Sequence, residues 1–246
     1  MEFEGKVAVV SGAAQGIGAA VAMALAARGA LVAGIDVRSA QDAGLALALT
    51  ADVSDSVAVE RAIEQIECEL GPVDILVNVA GILHTAPALR MTDAQWNRTF
   101  DVNAGGVFRL CRAAAARMVT RRRGAIVTVA SNAASVPRQQ MAAYAASKAA
   151  STQFTRCLGL ELAEFGIRCN VVSPGSTDTD MQRQLWTGPD SERGVIAGSP
   201  ASFRLGIPLG RIASADDIAD AVCFLASDRA RHITMHDLRV DGGATL

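Results

Sequence analysis

Tyr144 and Lys148 stand four residues apart in an alanine-rich, helix-favouring segment, so their side chains share one helical face. A free phenol, with a pKa near ~10, is a poor base at neutral pH. An ammonium beside it favours the phenolate, which can take a proton from an alcohol or return one to a carbonyl. Ser131 follows Ala125-Ile-Val-Thr-Val-Ala130, a run that reads as a buried strand. Hydroxyl, phenol and ammonium can therefore meet at the carboxyl edge of a parallel sheet, where ligands of open α/β folds bind. There Ser131 would hold the substrate oxygen whose proton Tyr144 moves. A lone Tyr-x-x-x-Lys pair is more often an exposed helix with a half-buried tyrosine, because short motifs match by chance. The surrounding elements have to decide.

Val7-Ala-Val-Val10 reads as a strand, Ser11-Gly-Ala-Ala-Gln-Gly-Ile-Gly18 as a glycine loop, and a helical pattern continues to Arg28. In that context Gly12 permits a tight turn, Gly16 admits a pyrophosphate, and Gly18 lets the helix pack on the strand. Gln15 and Ile17 belong to the same turn. Leu31-Val-Ala-Gly-Ile-Asp36 is a second strand, and Asp36 at its end can accept both ribose hydroxyls of an adenosine while repelling a 2′-phosphate. Arg38, two residues on, works against that exclusion. Residues 45–51 are the next apolar stretch, followed by Asp52-Val53 and a helix to about Leu70. Asp74-Ile-Leu-Val-Asn78 is a fourth strand running into Val79-Ala-Gly81. Thr92 caps a long helix carrying Asn103. Residues 125–131 form the fifth strand, 141–165 the helix of Tyr144, and 168–173 a sixth strand ended by Pro174-Gly175.

Residues 175–210 are rich in Gly, Pro, Ser and Thr, the composition of a substrate loop or lid. A helix over 214–226 and a last strand over 238–241 follow. Strands and helices alternate throughout, which predicts an α/β fold. The expected architecture is one domain over 1–246, a doubly wound parallel sheet of about seven strands with helices on both faces.

Half of the 246 residues are hydrophobic and only 4% aromatic, enough for a large aliphatic core. The net charge of −2 argues against a nucleic-acid surface. Arg121-Arg-Arg123 reads as a solvated helix end. No apolar run is long enough for a membrane span, and the amino terminus lacks the shape of a signal peptide. The five cysteines are scattered and never in a Cys-x-x-Cys pair, so neither disulfides nor a metal site is expected. A soluble, reduced, cytoplasmic protein is the expectation.

The assembled pattern resembles the short-chain dehydrogenase/reductase family over essentially the whole chain. Its marks are Ser11-Gly12-x-x-x-Gly16-Ile17-Gly18, Asp52-Val53, Asn78-Val-Ala-Gly81, Asn103, Ser131, Tyr144-x-x-x-Lys148 and Pro174-Gly175. The resemblance implies a Rossmann fold, NAD as cofactor and a homotetramer. It implies a catalytic tetrad of Asn103, Ser131, Tyr144 and Lys148, with Asn103 holding a water in a proton relay to Lys148. Lys148 would also bind the nicotinamide ribose, and Asp52 and Val53 would meet the adenine. Asn78, Ala80 and Gly81 would line the cofactor cleft, and Pro174, Gly175 and Thr177 would position the nicotinamide amide. Ser11 stands where the family usually has threonine, and Val79 where a second asparagine is common.

A narrower likeness lies in Val127-Thr-Val-Ala-Ser131, in Asn170-Val-Val-Ser-Pro-Gly-Ser-Thr-Asp-Thr-Asp-Met-Gln182, in Leu205-Gly-Ile-Pro-Leu-Gly210 and in Asp241-Gly-Gly-Ala-Thr-Leu246. It implies a cyclic dihydrodiol acid as substrate, 2,3-dihydro-2,3-dihydroxybenzoate, oxidised to 2,3-dihydroxybenzoate for a catechol siderophore. A reductase of 3-oxoacyl thioesters is the alternative on the same scaffold, and a non-catalytic dinucleotide sensor the alternative of another class. A carboxylated substrate needs a cation or several donors. Arg138, in the loop between Ser131 and Tyr144, is the first candidate. His84, Met181, Gln182, Arg183 and Gln184 are secondary ones.

Overall fold

The computed structural model describes residues 1–39 and 44–245. Seven strands form one sheet: β1 (Val7–Ser11), β2 (Leu31–Asp36), β3 (Leu47–Thr50), β4 (Val73–Asn78), β5 (Gly124–Val129), β6 (Ile167–Pro174) and β7 (Asp237–Val240). Every pairing is parallel, and the order is β3-β2-β1-β4-β5-β6-β7. Strand side chains alternate between two cores. Val7 and Val9 join the one built with α2 (Ser56–Glu69), α4 (Gly106–Arg121) and α5 (Ala142–Leu162). Ala8 and Val10 join the other, under α1 (Gly16–Ala27) and α8 (Ala215–Ala226). A parallel sheet covered on both faces reads as continuous apolar runs, which is why the strands were visible in the sequence.

The order reverses between β1 and β4, and crevices of this fold open at such a reversal. The loops leaving those two strands are stitched together. Ser11 Oγ accepts from the backbone N–H of Val79 (3.0 Å) and of Ala80 (3.2 Å). Serine in place of threonine thus keeps the bonding oxygen.

Three expectations change. The long helix after Thr92 is interrupted: α3 (Asp93–Phe100) passes into a π-helical turn at Asp101–Gly105 before α4 begins. The stretch 175–210 is not simply a loop, for it holds α6 (Asp180–Arg183), α7 (Ser191–Ala197) and a 3-10 turn at Pro200–Ser202. The arginine run is paired, not merely solvated. Arg121 bonds Glu67 and the Val73 carbonyl, and Arg123 meets Asp74 at 2.7 Å. No helix among the described residues is long and apolar enough to cross a membrane.

Candidate active site

A cleft of about 440 Å³ runs along the carboxyl edge of the sheet. One end is the turn from β1 into α1. Gly12 has φ +70°, and a Cβ there would lie 2.9 Å from the backbone of Ala80; one on Gly18 would lie 2.0 Å from the Gly12 carbonyl oxygen. No side chain caps α1, and its first turn holds no acid. Its amino terminus therefore offers unpaired N–H groups and positive potential to an anion, in a cradle that side chains would fill. Asp36, nearly buried, closes this end. It accepts from Ala14 N (3.0 Å) and Arg38 N (3.0 Å), which ties the end of β2 to the glycine turn. The Arg38 side chain donates to Gln15 Oε1 at 2.5 Å and keeps its Nε 3.7 Å from Asp36 Oδ1.

Asp52 and Val53 form the next wall. Burial works against the Asp52 charge. Bonds from the Ser54 N–H and hydroxyl and from Arg98 prevail and hold the carboxyl below its ordinary value. This donor set fits a dinucleotide: an anion seat at α1, a carboxylate at the end of β2 tied to the same turn, and Val53 among the wall residues.

At the other end α5 approaches the sheet closely, because its inner face is made of small residues, Ser147, Ser151 and Thr155 among them. Lys148 on that face reaches the end of β5, where Nζ donates to the Val129 carbonyl at 2.8 Å. Burial, with no carboxylate partner among the described residues, lowers its pKa to about 8. Tyr144, one turn earlier, lies with its ring centroid 5.9 Å from that Nζ. The expected lowering of the phenol by the ammonium is not what this pocket produces. Burial raises the Tyr144 pKa, and the Ser131 hydroxyl only partly pulls it back. Ser131 caps a 3-10 turn at Asn132–Ala134 and lines the cleft with Tyr144.

Asn103 sits behind the wall. The π turn places it where its Nδ2 donates to the Ile82 carbonyl (2.9 Å) and Ser147 Oγ (3.0 Å), while Oδ1 accepts from Ile82 N (2.8 Å). Both amide hydrogens are spent on protein, so its side chain has no donor left for a water. Gly81 leaves the room this requires, since a Cβ there would stand 3.3 Å from Asn103 Oδ1 and 3.4 Å from Lys148 Nζ.

Of the other expected residues, Gly12, Gln15, Gly16, Ile17, Gly18, Ala80, Gly81, Pro174, Gly175, Thr177, Arg138, Met181 and Gln182 all line the cleft. Four do not. Asn78 points inward, donating to Cys111 Sγ and Thr128 Oγ1. His84 is bonded to Thr99 Oγ1 at 3.0 Å. Because that hydroxyl already donates to the Gln95 carbonyl, His84 Nδ1 carries the hydrogen. Arg183 is paired with Asp178, and Gln184 is exposed. Sequence reading missed Arg204, which faces the cleft from the 175–210 stretch; one arginine among several there carries no periodic signal.

A family model described as enoyl-(acyl carrier protein) reductase, of the short-chain dehydrogenases, matches residues 12–245. The chain belongs to the short-chain dehydrogenase family. The 2,3-dihydro-2,3-dihydroxybenzoate dehydrogenase of Bacillus subtilis is 54% identical over 99% of this chain and 97% of that protein. Its Escherichia coli namesake is 48% identical over 100% and 99%. Among solved structures, the crystal structure of gox2181 has a TM-score of 0.89 at 36% identity, covering 98% of this chain and 95% of that one. As a short-chain dehydrogenase, the protein is an oxidoreductase that works with a nicotinamide dinucleotide.

Proposed function

We propose that this short-chain dehydrogenase oxidises 2,3-dihydro-2,3-dihydroxybenzoate to 2,3-dihydroxybenzoate with NAD, in catechol siderophore biosynthesis in the cytoplasm, as a homotetramer. One observation carries the substrate reading. Beside Ser131 and Tyr144 the cleft wall includes half-buried Arg138, whose guanidinium makes no ion pair with a described carboxylate. A 3-oxoacyl thioester offers such a cation only neutral carbonyl oxygens, whereas a benzoate carboxylate matches its charge and its fork. The likeness to the two bacterial dehydrogenases supports the same choice.

The residues at hand suit the reaction. Gly12, Gly16, Gly18 and the start of α1 would seat the pyrophosphate, Asp36 the adenosine ribose, Lys148 the other ribose, and Pro174, Gly175 and Thr177 the amide. Bound in its oxidised form, the dinucleotide supplies a hydride acceptor and a positive charge. Ser131 orients the C3 hydroxyl of the diol, and Tyr144 removes its proton. Lys148, still largely protonated at neutral pH, favours the phenolate. With both amide hydrogens committed, Asn103 would serve a relay only as an acceptor, and it holds the 82–103 contact in place. The ketone formed at C3 tautomerises to an aromatic ring, which draws the oxidation forward.

Spectrophotometric turnover of the dihydrodiol acid with NAD tests the reading, in wild type and in Tyr144→Phe. The variant is expected to lose roughly 10²–10⁴-fold in turnover and to bind NAD as before. No turnover of the acid by wild type would overturn the substrate; a fully active variant would overturn the role of Tyr144.

A further inference from the structure

We propose that Arg204 is a second specificity-determining residue, closing with Arg138 on the substrate carboxylate as a two-armed clamp, one arm from each side of the cleft. The inference rests on the substrate reading above and deepens it. Arg138 comes from the loop between β5 and α5, and Arg204 from the stretch between β6 and α8.

The backbone holds Arg204 in place despite its loop setting. Ser199 and Arg204 exchange both backbone bonds of an antiparallel bridge, Ser199 N to Arg204 O at 2.8 Å and Arg204 N to Ser199 O at 2.9 Å. The neck of this hairpin is so tight that only glycine fits. A Cβ on Gly198 would lie 2.4 Å from Gly206 N, and one on Gly206 would lie 2.4 Å from the Ile196 carbonyl oxygen. The side chain is oriented too, for one terminal nitrogen donates to Ser176 Oγ at 3.0 Å. A guanidinium has five N–H donors, so most of this one is still unspent.

Among the described residues neither guanidinium has a close ion-pair partner, and one carboxylate, Asp241, acts on Arg138 from further off. Both arginines are half-buried, and the charge of Arg204 acts unfavourably on Arg138. Asp241 acts on Arg138 from behind the wall, but its oxygens already serve Asn132, Gly243 and Thr245. Asp180 lines the same cleft and makes no ion pair with either arginine. Two half-buried cations in one cleft, close enough for one to act on the other, are costly until an anion joins them. A carboxylate on the ring that Tyr144 attends would lie between them. The dinucleotide's own phosphates are not that anion in this reading, because their seat is the glycine turn at the opposite end.

The test is KM and kcat for the dihydrodiol acid and for the same diol lacking its carboxylate, with NAD affinity and 2,3-dihydroxybenzoate binding to the NAD-loaded enzyme measured alongside. Arg204→Leu should raise KM for the acid and weaken 2,3-dihydroxybenzoate binding by roughly 10–100-fold, the range for a bond to a charged group. The neutral diol and NAD affinity should be unchanged, which also shows the variant to be folded. Arg204→Lys keeps the charge but loses the fork, so it should fall between, and it serves if leucine disturbs the hairpin. In Arg138→Leu/Arg204→Leu the combined loss should differ from the product of the single losses, because both contact one group. A wild type with no preference for the acid overturns the substrate reading and the clamp together. A wild type that prefers the acid, with Arg204→Leu keeping that preference, overturns the clamp alone, as does a matching loss of NAD affinity.

Discussion

At the scale of single residues the cleft sets two titrating groups against their ordinary behaviour for one reason, burial. The Tyr144 phenol is pushed up and the Lys148 ammonium down, to about 8. The free protein therefore holds a neutral phenol at neutral pH, and in the proposed reaction the oxidised dinucleotide would add its charge to that of Lys148 in favour of the phenolate. Tyr144 is the only tyrosine of the chain, so the phenolate absorption band reports this one group. Its titration midpoint in the free protein is expected above the ordinary value of 10, and addition of oxidised dinucleotide should lower it. A midpoint at or below 10 without cofactor would mean that burial does not govern this phenol.

At the scale of elements, we assign cofactor choice to the junction of β2 with the β1–α1 turn. Asp36 accepts one N–H from each side of it, from Ala14 and from Arg38, and so stands at the mouth of the anion seat. The nearby Arg38 guanidinium is drawn to Gln15, with its Nε 3.7 Å from Asp36. A 2′-phosphate would meet the carboxylate first. We expect a clear preference for NAD over its 2′-phosphorylated form in kcat/KM, and a narrowing of roughly 10–100-fold in Asp36→Ala, the worth of a bond to a charged group. Part of any loss with NAD would come from the loosened turn, so it is the ratio of the two cofactors that decides. Equal efficiency of wild type with both would assign Arg38 the phosphate.

At the scale of the whole molecule, the helices on one face of the sheet keep large apolar side chains in water: Trp96 on α3, Phe108 on α4 and Leu160 on α5. Phe108 stacks edge-on against Phe154 of α5, and Ala142 and Ala150 lie exposed on the same helix. Exposed small and aromatic residues on long helices suit close packing against a second copy. Light scattering should give four times the 25.5 kDa chain mass, and Phe108→Asp should shift the population to smaller species. A wild-type monomer at assay concentration would refute the tetramer.

What the sequence determined by itself was whatever repeats locally or depends on one residue's backbone freedom. Continuous apolar runs marked β1, β2 and β5, Gly12 marked the turn that passes under Ala80, and the four-residue spacing put Tyr144 and Lys148 on one side of α5. The tertiary structure decided everything that depends on distant segments meeting. The π turn at Asn103 has no local signature, since it follows from the amide docking on Ile82 and from Gly106 packing where a Cβ would lie 2.6 Å from Val53. Asn78 ends its strand facing Cys111 and Thr128, and the direction of a strand side chain is fixed only by which core it joins. The rise of the Tyr144 phenol depends on how many atoms close over it. Arg204 came to the cleft through a glycine-necked hairpin, from 60 residues further along the chain than Tyr144 (204 − 144). Periodicity reports the faces of elements; only their packing reports which charges end up sharing one pocket.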